Sequence, residues 1–214
     1  LFEGPVLVLW RWHGHLHRLP LQDERRQVAC IRRRHVGEDA RVKTWRLRST
    51  LWIPHPPAAV FPFFAEAQNL ERLTPAWLSF KILTPPPIPM GIGTLIDYRI
   101  GVHGLPLRWR TRIARWEPPH AFVDEQLRGP YSIWHHTHTF TPCDGGTVLG
   151  DDVILRPKGG PLASLTMALF VKRNVERIFR HRAAVMAELF GGRHAEAEVR
   201  WLEHTPTANQ AATR

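Results

Sequence analysis

The stretch Leu107–Trp116 constrains this chain more than any other. Leu107, Trp109, Thr111 and Ile113 alternate there with Arg108, Arg110 and Arg112. A period of two puts successive side chains on opposite faces of a β-strand. A strand that buries one face and wets the other belongs to an antiparallel sheet with a single core face. The arginine row then reads as a solvated sheet face, with an anion-binding stripe as the more specialised alternative.

The same period recurs on both sides of that strand. Arg46–Ile53 sets Leu47, Ser49, Leu51 and Ile53 against Arg46, Arg48, Thr50 and Trp52. Leu78–Leu83, Thr94–Gly101, Phe122–Leu127, Ser132–Thr141 and Thr147–Leu155 read as further strands. Turn signals at His103–Gly104, Pro118–Pro119, Gly129–Pro130 and Asp144–Gly146 divide them at the spacing of a meander. Pro56–Pro57 opens a short helix carrying Val60, Phe61, Phe64 and Ala65, and Asn69–Leu73 forms a second.

From Pro161 to Phe190 the period changes to three and four, through Leu162, Leu165, Leu169, Val175, Ile178, Phe179, Val185, Met186 and Leu189. Lys172, Arg173, Glu176, Arg177, Arg180 and Arg182 are expected on the other side. This predicts one amphipathic helix of roughly 45 Å, stopped by Gly191–Gly192. Its first part, Leu162–Val171, is apolar almost all round and should meet something on more than one side. The expected fold is α+β: a strongly curved antiparallel sheet of six or seven strands wrapped around the long C-terminal helix. A gap between the two makes an apolar cavity.

Composition separates this core from its flanks. The 214 residues carry 29 lysines and arginines against 19 acids, a net charge of +10. Residues 1–50 hold 11 basic and 5 acidic residues, so the first fifty residues carry most of the excess. Residues 1–45 read as a poorly ordered basic extension, 46–192 as the folded domain and 193–214 as a polar tail. A charge-driven nucleic-acid or membrane-surface binder acting through residues 1–45 is one functional reading. No aromatic-basic module accompanies the charge, so no specific nucleic acid is expected, and membrane contact would be transient. His13, His15 and His17 in that segment would hold a metal only weakly. Cys30 and Cys143 stand apart and in no motif, as in a chain of a reducing, cytoplasmic compartment. Nothing in the pattern specifies an oligomer.

The order of elements over residues 46–192 resembles the START-like, or SRPBCC, helix-grip superfamily, which includes polyketide cyclases/dehydrases and coenzyme-Q-binding START-type proteins. More specific is the string Phe122-Val123-Asp124-Glu125-Gln126-Leu127-Arg128-Gly129-Pro130-Tyr131, followed by Trp134-His135-His136-Thr137-His138-Thr139-Phe140. Gly145-Gly146-Thr147 and Asp151-Asp152-Val153-Ile154-Leu155-Arg156-Pro157 complete the pattern. It is similar to a bacterial ligand-binding subgroup that also occurs fused to epimerase-like domains, of which this sequence has no dinucleotide fingerprint. The resemblance implies the helix-grip fold and a hydrophobic cavity, and leaves the ligand open, because the fold hosts carriers, enzymes and regulators.

Alternation nominates the residues that could act in such a cavity. Ser132–Thr141 puts Trp134, His136, His138 and Phe140 on one face. Phe122, Asp124 and Gln126 share a face of their strand, and so do Asp151, Val153 and Leu155. The wall would come from Tyr98, Trp109, Ile113, Trp134 and Phe140, with Leu165 and Leu169 from the helix. Asp124, Gln126, His136, His138 and Asp151 would form a polar cluster. It could satisfy itself across strands, orient a ligand's head group, or catalyse as a cyclase/dehydratase with His136 or His138 as acid or base and Asp124 as partner. His136 and His138 with Asp151 are weak ground for zinc, so no metal or other cofactor is expected. A soluble binding protein for a small hydrophobic molecule, such as a lipid, quinone or polyketide-like aromatic, is the leading reading.

Overall fold

In the computed structural model the described residues are 43–102, 104–192 and 197–202. Residues 1–42 of the basic segment, with the histidine tract at residues 13–17, lie outside them. Strand β1 (Trp45–Ile53) buries Leu47, Ser49, Leu51 and Ile53, the set its alternation predicts. Helices α1 (Pro57–Ala65) and α2 (Asn69–Arg72) follow. Then come β2 (Lys81–Ile82), β3 (Leu95–Val102), β4 (Leu105–Glu117), β5 (Ala121–Arg128), β6 (Tyr131–Cys143) and β7 (Gly146–Pro157). A last strand, β8 (Glu198–Leu202), follows the C-terminal helix. The strands form one antiparallel sheet in the order β2-β3-β4-β5-β6-β7-β1-β8. The fold is the α+β helix-grip.

On the wet face of β4, Arg110 pairs with Asp97 and Arg112 with Glu125, both at 2.8 Å and half exposed. Neighbouring strands therefore take up part of the arginine row.

Three expectations change. The strand predicted over Leu78–Leu83 shrinks to Lys81–Ile82, because Ser79 takes a left-handed φ of 44° after a single 3₁₀ turn at Ala76–Leu78. The C-terminal helix is not one regular element. It begins with a 3₁₀ turn at Gly160–Leu162 and helix α3 (Ala163–Thr166), and widens into a π turn at Met167–Val171. Only then does it continue as α4 (Lys172–Phe190). The segment expected as a polar tail contains β8, which pairs with β1. Val199 and Trp201 of β8 alternate with Glu198 and Arg200 and pack toward Leu47 and Val153.

Where the helix touches the sheet fixes where it leaves a gap. Met186 and Ala187 at the end of α4 pack with Leu51, Ile53, Phe61, Phe122 and Phe140. Val175, Phe179 and Met167 pack with Leu47, Val153 and Leu155. The second contact lies on β1 and β7, and the first also takes in Phe122 of β5 and Phe140 of β6. The core at the other side gathers Ile96, Tyr98, Ile100 and Trp109 with Ala67 and Ile88, and is covered by α2 and loop residues. The helix stands off from β3 and β4. No helix among the described residues is long and apolar enough to cross a membrane.

Candidate functional site

That gap is a cavity of about 500 Å³ between the sheet face of β3–β6 and the helix. Its apolar wall comes from Ile96, Tyr98, Trp109, Ile113 and Trp134 on the sheet, faced by Val171, Val175, Ile178 and Phe179. The aromatic side chains hold one another in place. Tyr98 stacks on Trp109 with ring centres 5.7 Å apart, and Trp134 meets Trp109 edge-on at 5.1 Å. The Trp109 indole donates to Thr111 Oγ1 at 3.0 Å, and the Tyr98 hydroxyl lies 3.1 Å from the same oxygen. Burial, helped by the Asp124 charge, pushes the Tyr98 phenol well above its ordinary pKa, so it stays protonated.

Further along the same face the wall turns ionic. Register places Asp124 beside His136, and His138 beside Asp151. The four side chains close a ring. His136 Nε2 is 3.0 Å from Asp151 and its Nδ1 is 3.3 Å from Asp124. His138 Nε2 is 2.9 Å from Asp124 and its Nδ1 is 3.0 Å from Asp151. Arg182 from α4 enters this ring, with Nη2 3.1 Å from His138 Nδ1 and Nε 3.5 Å from Asp151.

A guanidinium keeps its protons, so it donates to His138 Nδ1, and that nitrogen must offer a lone pair. His138 is then neutral, with its proton on Nε2 and directed at Asp124. Burial and the neighbouring His136 charge lower its pKa in the same sense. His136 has a carboxylate at each nitrogen. Burial opposes its charged form, but Asp124 and Asp151 together raise its pKa above the ordinary value. Both carboxyls resist burial as anions, yet His136 for Asp124 and Arg182 for Asp151 hold them well below the usual carboxylate range. The buried charges balance: two carboxylates against one imidazolium and one guanidinium.

The structure divides the nominated residues. Tyr98, Trp109, Ile113, Asp124, Trp134, His136 and His138 line the cavity. Gln126 does not; its amide clamps the β5–β6 turn by donating to the Tyr131 carbonyl at 2.6 Å and accepting from the Tyr131 N–H at 3.2 Å. Asp151 sits behind the histidines as their partner. Phe140 is packed away among Phe61 and Phe64, with ring centres 5.1 and 4.9 Å off. Leu165 and Leu169 point to solvent, 55% and 61% exposed, while Thr166, Phe170 and Val171 border the cavity instead.

Sequence reasoning missed Thr111 as a polar group of the wall and placed Arg182 on the wet side of the helix. Its signal was there: Val175, Phe179, Arg182 and Met186 follow one another at helical spacing, an arginine standing in an apolar row. Ligand atoms of Asp124, His136 and His138 lie within 4.8 Å of one another, near enough to gather on one cation. A cation there would compete with the Arg182 and His136 charges that already balance the carboxylates.

A family model described as polyketide cyclase/dehydrase and lipid transport matches residues 53–183, more than half of the chain. The chain belongs to this family. As a member of the polyketide cyclase/dehydrase and lipid transport family, it matches no curated protein in sequence. Its likeness to solved structures is one of fold. A protein from Thermus thermophilus aligns at 19% identity over 67% of this chain and 98% of that one, with a TM-score of 0.52. Norcoclaurine synthase from Thalictrum flavum, solved in complex with dopamine and hydroxybenzaldehyde, aligns at 12% identity over 73% and 91%, with a TM-score of 0.52. The di-domain ARO/CYC StfQ from the steffimycin biosynthetic pathway aligns at 17% over 69% of this chain and 52% of that one, with a TM-score of 0.50.

Proposed function

We propose that residues 46–192 are a binding domain for a small hydrophobic molecule of the lipid, quinone or polyketide-like aromatic class, held between sheet and helix. The observation that carries this reading is the cavity itself. Its volume of about 500 Å³ lies within the roughly 300–1,000 Å³ common to small-molecule sites. The paired rings of Tyr98, Trp109 and Trp134 favour a planar occupant, since stacking adds to burial. Two polar stations would orient it. Trp109 donates to Thr111 Oγ1, and a Tyr98 hydroxyl that donates there too would leave the Thr111 proton for a ligand carbonyl. Asp124, kept ionised by His136, accepts from a ligand hydroxyl.

The second reading is a cyclase/dehydratase-type enzyme in the same cavity. What favours it is a charged imidazole, His136, beside Asp124 on the wall, an acid within reach of a bound molecule. The closed ring weighs the other way. Each imidazole nitrogen already has a protein partner, so transferring a proton to a substrate first requires breaking a buried ion pair.

Tryptophan-fluorescence titration with a naphthoquinone, a flavonoid and a fatty acid separates the readings. Binding predicts saturable one-to-one quenching by at least one of them, lost when Leu107, a further lining residue, is enlarged by Leu107→Trp to fill the cavity, and weakened by Asp124→Asn. The enzyme reading predicts turnover of a polyketide-like substrate that His136→Ala abolishes. No saturable binding of any probe would count against the carrier.

A further inference from the structure

The segment Leu162–Val171 is apolar almost all round, and the cavity uses only part of it. Ala163 and Met167 are buried, while Thr166, Phe170 and Val171 border the cavity. Leu162, Leu165 and Leu169 face away from it and are 63%, 55% and 61% exposed. Three large aliphatic side chains on one short stretch of surface cost solubility, and such a cluster marks an interaction site more often than scattered exposed leucines do.

The charges around this stretch say what covers it. Exposed Lys158 precedes it and exposed Lys172 and Arg173 follow it, with no acidic residue in the sequence between Asp152 and Glu176. A helical stretch with exposed leucines along it, a lysine at one end and a lysine and an arginine at the other, matches a layered partner, apolar beneath and anionic at the surface. A protein groove would need acidic and apolar groups placed at those same points, whereas an anionic bilayer offers them everywhere.

We propose that the face formed by Leu162, Leu165 and Leu169, flanked by Lys158, Lys172 and Arg173, docks on the surface of an anionic lipid bilayer. The same turns wall the cavity from behind, so docking brings the cavity boundary to the lipid interface, where an apolar molecule enters without crossing water. This site is distinct from the basic charge of residues 1–45. It does not require that the cavity's occupant be known.

Co-sedimentation of the full chain with vesicles tests it. One set is phosphatidylcholine alone, the other phosphatidylcholine mixed with phosphatidylglycerol. The chain should pellet with the mixed vesicles, less with phosphatidylcholine alone, and less again as salt is raised. L165E/L169E should weaken vesicle binding by about tenfold or more, with an unchanged circular dichroism spectrum and unchanged quenching by the cavity probes. K172E/R173E should erase the preference for anionic vesicles, and L165S/L169S replaces the leucine variant if that one does not fold. The proposal is overturned if the wild type stays in the supernatant with both vesicles. It is equally overturned if the leucine variants pellet as well as wild type, which would move the contact to residues 1–45. Concentration-dependent self-association that the leucine variants abolish, without vesicle binding, would make the occupant a second copy and overturn it too. Because vesicle pelleting is read with no cavity ligand added, its failure leaves the cavity reading standing, and the reverse holds too.

Discussion

Asp151 is a buried carboxylate whose charge is met by Arg182 and His136. Removing one member of such a cluster leaves the rest uncompensated. Arg182→Met should cost about 3–5 kcal/mol of stability, measured by urea unfolding, and Asp151→Asn/Arg182→Met should recover part of that loss. The two histidines also fix how stability varies with pH. The folded-state pKa of His136 is raised above 6.5, so its contribution is full below that value and is lost as pH rises through the folded pKa. The folded-state pKa of His138 is lowered below 6.5, so its contribution is full above that value and is lost as pH falls through the folded pKa. Unfolding midpoints across about pH 5 to 9 should therefore peak near the ordinary histidine value. His136→Gln should flatten the alkaline side of that peak and His138→Gln the acid side. Asp124 and Asp151, both lowered, add a further loss only below the usual carboxylate range. Alternation alone put Asp124, His136 and His138 on one wall. It could not say that Gln126, on the same face, would be spent on a turn, because depth along a strand is set by the neighbouring loop.

At the scale of elements, the C-terminal helix works by being tight at one end and open at the other. Gly191 caps it in the left-handed region at φ 72°. Gly192 then passes so close to β1 that a Cβ would lie 2.8 Å from Ile53 Cγ2 and 2.9 Å from the Trp52 carbonyl. Gly192→Ala should therefore force the helix end off β1 and cost about 1–3 kcal/mol, seen as a lower melting temperature with the cavity probe still bound. The periods of two and three-to-four made β1, β3 to β7 and the long helix legible. The π turn at Met167–Val171 was not, since one inserted residue leaves composition unchanged while rotating every side chain before it. Leu165 and Leu169 lie outside the cavity they were expected to line. β8 was hidden by its length: five residues with three apolar positions, Val199, Trp201 and Leu202, become a strand only because β1 offers an open edge.

Over the whole domain, one sheet face meets the helix along β1 and β7 and parts from it over β3 and β4. The cavity is what this geometry leaves, and its aromatic wall and ionic floor come from the strands that the sequence pattern marked most clearly. Of the net charge of +10, residues 46–192 carry +6, with 17 basic residues against 11 acidic ones. The central claim is that the cavity holds a small hydrophobic molecule. Native mass spectrometry of the full chain purified from its own cells, compared with the denatured chain, tests it most directly. The account predicts an added mass of a few hundred daltons, released on denaturation and absent from Leu107→Trp. An apo mass alone, from wild type that also fails to bind any apolar probe, would contradict it.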